Sequence, residues 1–231
     1  MKSVQKILIP KNAHDIVIFI HGFGVRWDAR GVYTDIVEKL PKDFGSVLFD
    51  LYDTSDKDVY IMPIAEQVKR VKTMVQNIMK LHPHATVHLI AHSKGCIITS
   101  LSKIVVSGKV FFLAPPESFG TRLETYFKGY PGAKEENGVL IIPRKDGTRT
   151  HIPETYFSES KAIDAENCMN TYAKAQKIHL LQTTMDEVIG NTTYSLLSQN
   201  SNVSITQIAA DHNFTGTHRK ELISYIIKRI T

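Results

Sequence analysis

The chain alternates short apolar runs with longer segments that carry one apolar stripe. Ile16-Val17-Ile18-Phe19-Ile20 is a continuous β-branched and aromatic run, the pattern of a strand buried on both faces. It stops at His21-Gly22-Phe23-Gly24, where glycine interrupts regular structure. Similar runs at 46–49, 86–91 and 110–114 predict three more strands. Helical spacings lie between them. Apolar residues at 36, 37 and 40 precede Pro41, and a stripe at 64, 68, 71, 75, 78 and 81 precedes His82-Pro83. An apolar helix over 96–104 is closed by Gly108. Strands alternating with helices predict an α/β fold with a mostly parallel central sheet flanked by helices.

The alternation stops at Pro115-Pro116 and is absent to about Lys174. Residues 139–142 and 149–152 flank a turn containing Asp146-Gly147, a hairpin signal, and 163–175 is weakly helical. Strands at 178–181 and 203–206 and a helix at 222–230 then restore the pattern. Residues 1–114 and 175–231 therefore read as one core, and 115–174 as a cap or lid inserted over it.

Composition narrows the function classes. Of 231 residues, 42% are apolar and 22% charged, which is ordinary globular usage and excludes coiled coil, collagen-like structure and long disorder. Lys and Arg number 28 against 23 Asp and Glu, a net +5, yet the longest basic clusters are pairs such as Lys69-Arg70. A nucleic-acid partner is not expected from so dispersed a charge. No apolar stretch has the length of a membrane span, and the run at 7–9 is too short for a signal-peptide core, so no stable membrane association and a cytoplasmic protein are expected. Cys96 and Cys168 cannot build a disulfide framework, and Cys96 falls at an apolar helix position that suits packing.

The candidate chemistry sits at strand ends. Ala91-His92-Ser93-Lys94-Gly95 joins a buried strand to an apolar helix, and a serine on such a bend projects its hydroxyl clear of the sheet. The alternative for Ser93 is an N-cap. Backbone N–H groups that hold an oxyanion would come from Lys94, after the serine, and from Phe23 in the upstream glycine loop, unless that loop is a plain turn. His212, in the loop before the last helix, is the candidate base; a surface or capping histidine is the alternative. Asp186 follows the 178–181 strand and is the candidate orienting carboxylate, with Glu187 a possible substitute and Asp211 a neighbour better suited to a cap.

The order Ser93, Asp186, His212, with the His21-Gly22 loop upstream, resembles the α/β-hydrolase fold over nearly the whole chain, and in particular small capped bacterial esterases and monoglyceride-lipase-like enzymes. Ala91 stands where the usual elbow has glycine, and Lys94 where relatives often have a small or apolar residue. The resemblance implies Ser93 as nucleophile, His212 as general acid/base, Asp186 as its partner, and an oxyanion hole from Phe23 and Lys94. It implies acyl transfer from a small-molecule carboxylic ester, with no cofactor and no metal; a thioesterase, a lipase or a ligand-binding protein on the same scaffold are the alternatives. The Lys94 side chain is expected to point to solvent, the alternative being a cation that favours acidic acyl groups. His21, Gly22, Tyr126 and Tyr130 are expected to touch substrate. The other cap aromatics, Phe119, Phe127, Tyr156, Phe157 and Tyr172, are expected mostly to form the cap's own core.

Overall fold

The computed structural model describes residues 5–118, 121–144 and 147–231. Phe119 and the Lys145-Asp146 part of the expected hairpin turn lie outside the described residues. The main sheet contains β1 (Gln5–Leu8), β2 (Asp15–Ile20), β3 (Gly45–Phe49), β6 (Thr86–His92), β7 (Val110–Leu113), β11 (Ile178–Thr183) and β12 (Val203–Ile208), in the order β1-β3-β2-β6-β7-β11-β12. Only β1 runs antiparallel, at one edge; every other neighbour pair is parallel.

The continuous apolar runs serve two cores at once. In β2, Ile16, Ile18 and Ile20 face α2 (Ile64–Leu81), α3 (Lys94–Ser102) and α6 (Ala165–Ala173), while Val17 and Phe19 face α1 (Val32–Lys39) and α7 (Thr217–Ile230). Successive side chains on a strand point to opposite faces, so a strand covered on both sides must be apolar throughout. Each fully buried Ile or Phe contributes about 1.5–3 kcal/mol.

Helix α2 departs from the expected stripe. It buries Ile64, Gln67, Val71, Val75 and Ile78, whereas Leu81 is 71% exposed. A polar residue, Gln67, thus occupies a core position.

Two further short strands, β4 (Asp53–Thr54) and β5 (Asp58–Tyr60), join β8 (Lys134–Glu136), β9 (Val139–Pro143) and β10 (Arg149–Pro153) in a second sheet ordered β4-β5-β10-β9-β8. The expected hairpin is β9 and β10, paired antiparallel from Arg149↔Pro143 to Pro153↔Val139. Strands of two and three residues, Asp53-Thr54 and Asp58-Val59-Tyr60, are too short to carry a usable alternation, which is why β4 and β5 escape a sequence reading. Asp58 clamps this sheet: it accepts from Arg149 Nε at 2.8 Å and lies 2.9 Å from His151 Nε2. The Arg149 hydrogen bonds, against the opposing effect of burial and with help from His151, hold its carboxyl down to about 2.

The segment between β7 and β11 does two things. Helix α4 (Thr121–Lys128), β8–β10 and α5 (Glu154–Lys161) build a layer with β4 and β5, while α6 packs along α3 beside the main sheet.

The bend from β6 to α3 is packed hard against the end of β2. A Cβ on Gly95 would stand 2.3 Å from the Ile20 carbonyl oxygen and 2.8 Å from that of His21. Backbone cannot yield as a flexible side chain can. Gly95→Ala should therefore cost about 3 kcal/mol or more, at the upper end of overpacking, read as a lower midpoint in urea unfolding; an unchanged midpoint would show that the close approach is not rigid.

Candidate active site

The strands β2, β6, β11 and β12 are parallel, so the loops that leave their carboxyl ends share one edge of the sheet. In a sheet of this kind that edge is where ligands bind. Ser93 leaves β6, the Gly22-Phe23 loop leaves β2, Asp186 follows β11 and His212 follows β12.

Ser93 stands at φ 54°, ψ −126°, a conformation that costs a non-glycine residue about 1–3 kcal/mol. Its N–H bonds the Leu113 carbonyl at 2.8 Å, fixing the bend against β7. The hydroxyl makes no capping bond to α3. Instead Ser93 Oγ lies 3.0 Å from His212 Nε2, and His212 Nδ1 lies 2.8 Å from Asp186 Oδ2. A carboxylate only accepts, so Nδ1 carries the proton and Nε2 is left to accept the serine O–H. Gly22 comes close behind Ser93, where a Cβ would be 3.1 Å from the serine Cβ.

Asp186 is locked from every side. Thr183 Oγ1 donates to Oδ2 at 2.6 Å, and the N–H groups of Val188 and Ile189 donate to Oδ1 at 3.0 and 2.9 Å. Burial pushes its carboxyl up, but the bonds from His212, Thr183 and Ile189 outweigh burial and hold it below its ordinary value. The neighbouring acids do other work. Glu187 accepts the His212 backbone N–H at 3.4 Å, and Asp211 accepts the N–H of Thr215 at 2.8 Å, a local turn bond.

A second histidine, His92, braces His212. Its Nε2 donates to the His212 carbonyl at 2.8 Å, and the two rings lie 4.9 Å apart. Burial, together with the charge of His212, depresses the His92 ring to about 3, so it stays a neutral donor.

Two expectations are corrected. Lys94 does not reach solvent: it is 1% exposed, with Nζ bonded to Tyr52 Oη and Gln67 Oε1. The elbow turns its side chain inward, beneath the rings of Tyr52, Phe23 and Tyr156. Desolvation there drives its amine well below the ordinary value of 10.5. His21 does not reach substrate either. It is fully buried, its Nδ1 donates to the Gly22 carbonyl at 2.9 Å, and its Nε2 accepts the Leu51 N–H at 2.8 Å. Burial first, with Lys94 adding to it, holds its ring at about 3 despite the Gly22 bond.

A cavity of about 1040 Å³ opens at Ser93 and His212, and Gly22, Phe23, Tyr126, Phe127 and Tyr130 are among its lining residues. Tyr156, Phe157 and Tyr172 are instead buried in the core. The lining includes Arg26, Arg30 and Arg144 as well as Asp28, Glu117, Asp164, Glu166 and Glu187, so both signs of charge are present. Among the described residues no group of three His, Cys, Asp or Glu is placed to hold a metal ion, and no helix is long and apolar enough to cross a membrane.

Residues 1–112 match the family described as "Alpha/beta hydrolase of unknown function (DUF900)". No curated protein sequence matches the chain. Among solved structures, the chain is similar to Est1E from Butyrivibrio proteoclasticus, at TM-score 0.71 and 15% identity over 98% of this chain and 92% of that one. It is also similar to a monoacylglycerol lipase from Paleococcus ferrophilus, at TM-score 0.65 and 14% identity over 99% and 98%. The esterase domain of a Rhodothermus marinus protein matches at TM-score 0.63 and 12% identity over the full length of both chains.

The depressed Asp186 carboxyl sets a pH dependence. A lowered folded value means stability that is present above the ordinary value of 3.8 and lost as pH falls through the lower folded one. Urea unfolding between pH 6 and pH 2 should show Asp186→Asn losing less stability across that window than the parent chain. Parallel curves would contradict the assignment. The sheet order, the loops gathered at its carboxyl edge and the structural matches together give this chain the α/β-hydrolase fold.

Proposed function

We propose that the chain is a serine hydrolase that cleaves carboxylic esters. The observation that carries this reading is the hydrogen-bonded relay from Ser93 Oγ through His212 to Asp186, at 3.0 and 2.8 Å, opening into one large cavity. Likeness to solved structures that are themselves an esterase domain and a monoacylglycerol lipase is consistent with it.

In this reading His212 Nε2 takes the Ser93 proton as Oγ attacks the ester carbonyl. The carbonyl π pair moves onto oxygen, and the N–H groups of Phe23 and Lys94 receive that oxyanion. As the tetrahedral adduct collapses, the C–O bond to the alcohol breaks and the alkoxide takes the proton from His212. A water, deprotonated by the same nitrogen, then attacks the acyl-enzyme; the acid leaves and Ser93 regains its proton. Asp186 keeps the imidazole in the required tautomer and stabilises it while charged. His92 holds the His212 backbone in register with the serine. No cofactor takes part in these steps.

The cavity volume suits a small or medium acyl or aryl ester, with Tyr126, Phe127 and Tyr130 as its aromatic wall. Another structure of Est1E has ferulic acid bound, an aryl acid of this size class. Two free cysteines fit a reducing, cytoplasmic setting.

Hydrolysis of p-nitrophenyl esters from acetate to palmitate tests the reading. Short and medium chains should turn over, and Ser93→Ala should lower kcat by at least about a thousandfold. A chain-length optimum at palmitate would point to a lipase, and faster turnover of matched thioesters to a thioesterase. Equal rates for parent and Ser93→Ala would remove Ser93 from the chemistry.

A further inference from the structure

Helix α2 buries a glutamine where its stripe calls for an apolar residue, and α3 opens with a lysine whose side chain is buried. The two anomalies meet. Gln67 Nε2 donates to the Met62 carbonyl, which leaves its Oε1 facing Lys94. Lys94 Nζ donates to that oxygen and to Tyr52 Oη. Tyr52 in turn donates its hydroxyl to the Gly22 carbonyl at 3.2 Å, and the same carbonyl accepts His21 Nδ1 at 2.9 Å. His21 is itself held by the Leu51 N–H. The result is a directional chain of buried hydrogen bonds that ends on one peptide group.

That peptide is Gly22–Phe23. Its carbonyl receives the two donors, and its other end is the Phe23 N–H. Because the peptide unit is planar, fixing the carbonyl fixes the direction of the N–H. Hydrogen bonds in series also polarise one another, and a carbonyl that accepts two makes its own N–H a stronger donor. The second oxyanion donor, the Lys94 N–H, belongs to the residue whose side chain anchors the same chain of bonds.

We propose that Lys94, Tyr52 and Gln67 are positioning residues that aim the Phe23 and Lys94 N–H groups at the developing oxyanion. This rests on the reading of Ser93 as the nucleophile. Lys94 does so as an amine rather than as a counter-ion. Among the described residues no carboxylate lies within ion-pair reach of Nζ, the residue is 1% exposed, and its two donated bonds match the two hydrogens of a neutral amine. Burial favours that form and keeps the Tyr52 hydroxyl protonated as a donor. An exposed lysine or a plain apolar residue after the serine would leave the Tyr52 hydroxyl, one of the two side-chain donors to the Gly22 carbonyl, without the amine that orients it.

The test uses Lys94→Met, which keeps length and loses the amine, and Tyr52→Phe, which loses one hydroxyl. Two readouts are taken on folded protein: the ¹H–¹⁵N amide signal of Phe23, and kcat and KM for p-nitrophenyl acetate. Both variants should move the Phe23 signal in the same direction. Each should lower kcat by about 10- to 100-fold, less than the loss of a whole oxyanion donor, with KM within about twofold. The double variant should be no slower than the slower single one, since both break one chain of bonds. An unmoved Phe23 signal in Tyr52→Phe, a loss confined to KM, or effects that multiply would overturn the proposal. If the parent turnover does not depend on Ser93, the esterase reading fails by itself, and the Phe23 signal alone then decides whether the network holds the peptide.

Discussion

The structure depends on how closely α3 approaches β2. Helix α3 can start directly behind the sheet because Gly95 has no side chain, and its Cα passes within reach of the Ile20 and His21 carbonyls. That approach forces Ser93 into a positive φ, and the strain is held by the Leu113 carbonyl on one side and by buried helix packing on the other. A serine in an unstrained turn would bond to its own helix. Here the hydroxyl is presented at the sheet edge, where three other strand ends deliver their loops.

From that constraint the electrostatics follow. Asp186, His212, His92 and His21, the titratable groups packed nearest the serine, each have a fixed partner within the protein. Asp186 is held below its ordinary value because the donors around it, His212 first, outweigh its burial, whereas His21 and His92 stay neutral because burial outweighs their bonds. The same elbow directs the Lys94 side chain inward, and its desolvation is tolerated because Tyr52 and Gln67 accept what it donates. Preorganised donors in a low-dielectric setting are worth more than the same donors in water, and the proposed oxyanion donors would benefit in this way.

The sheet was legible because strands covered on both faces must be apolar without interruption, and 16–20, 86–91 and 110–114 say so directly. Ser93, Asp186 and His212 were legible as strand-end residues in a particular order. The network under them was not. Tyr52 lies in a loop with no periodicity, and its role depends on a carbonyl thirty residues upstream in sequence. Gln67 carried a signal, a polar residue within an apolar stripe, but its partner could be known only once α2 and α3 were packed together. Lys94 read as solvent-facing because a lone lysine is rarely buried without a carboxylate. His21 read as a binding residue because the loop beside it lines the cavity, although its own ring turns inward.

Labelling of the folded protein at neutral pH with a fluorophosphonate, located by mass spectrometry of the peptides, tests the central claim most directly. The account predicts one adduct, on Ser93, formed far more slowly when His212 is replaced by alanine. A folded parent chain that takes no label, or that takes it on another residue, would contradict it.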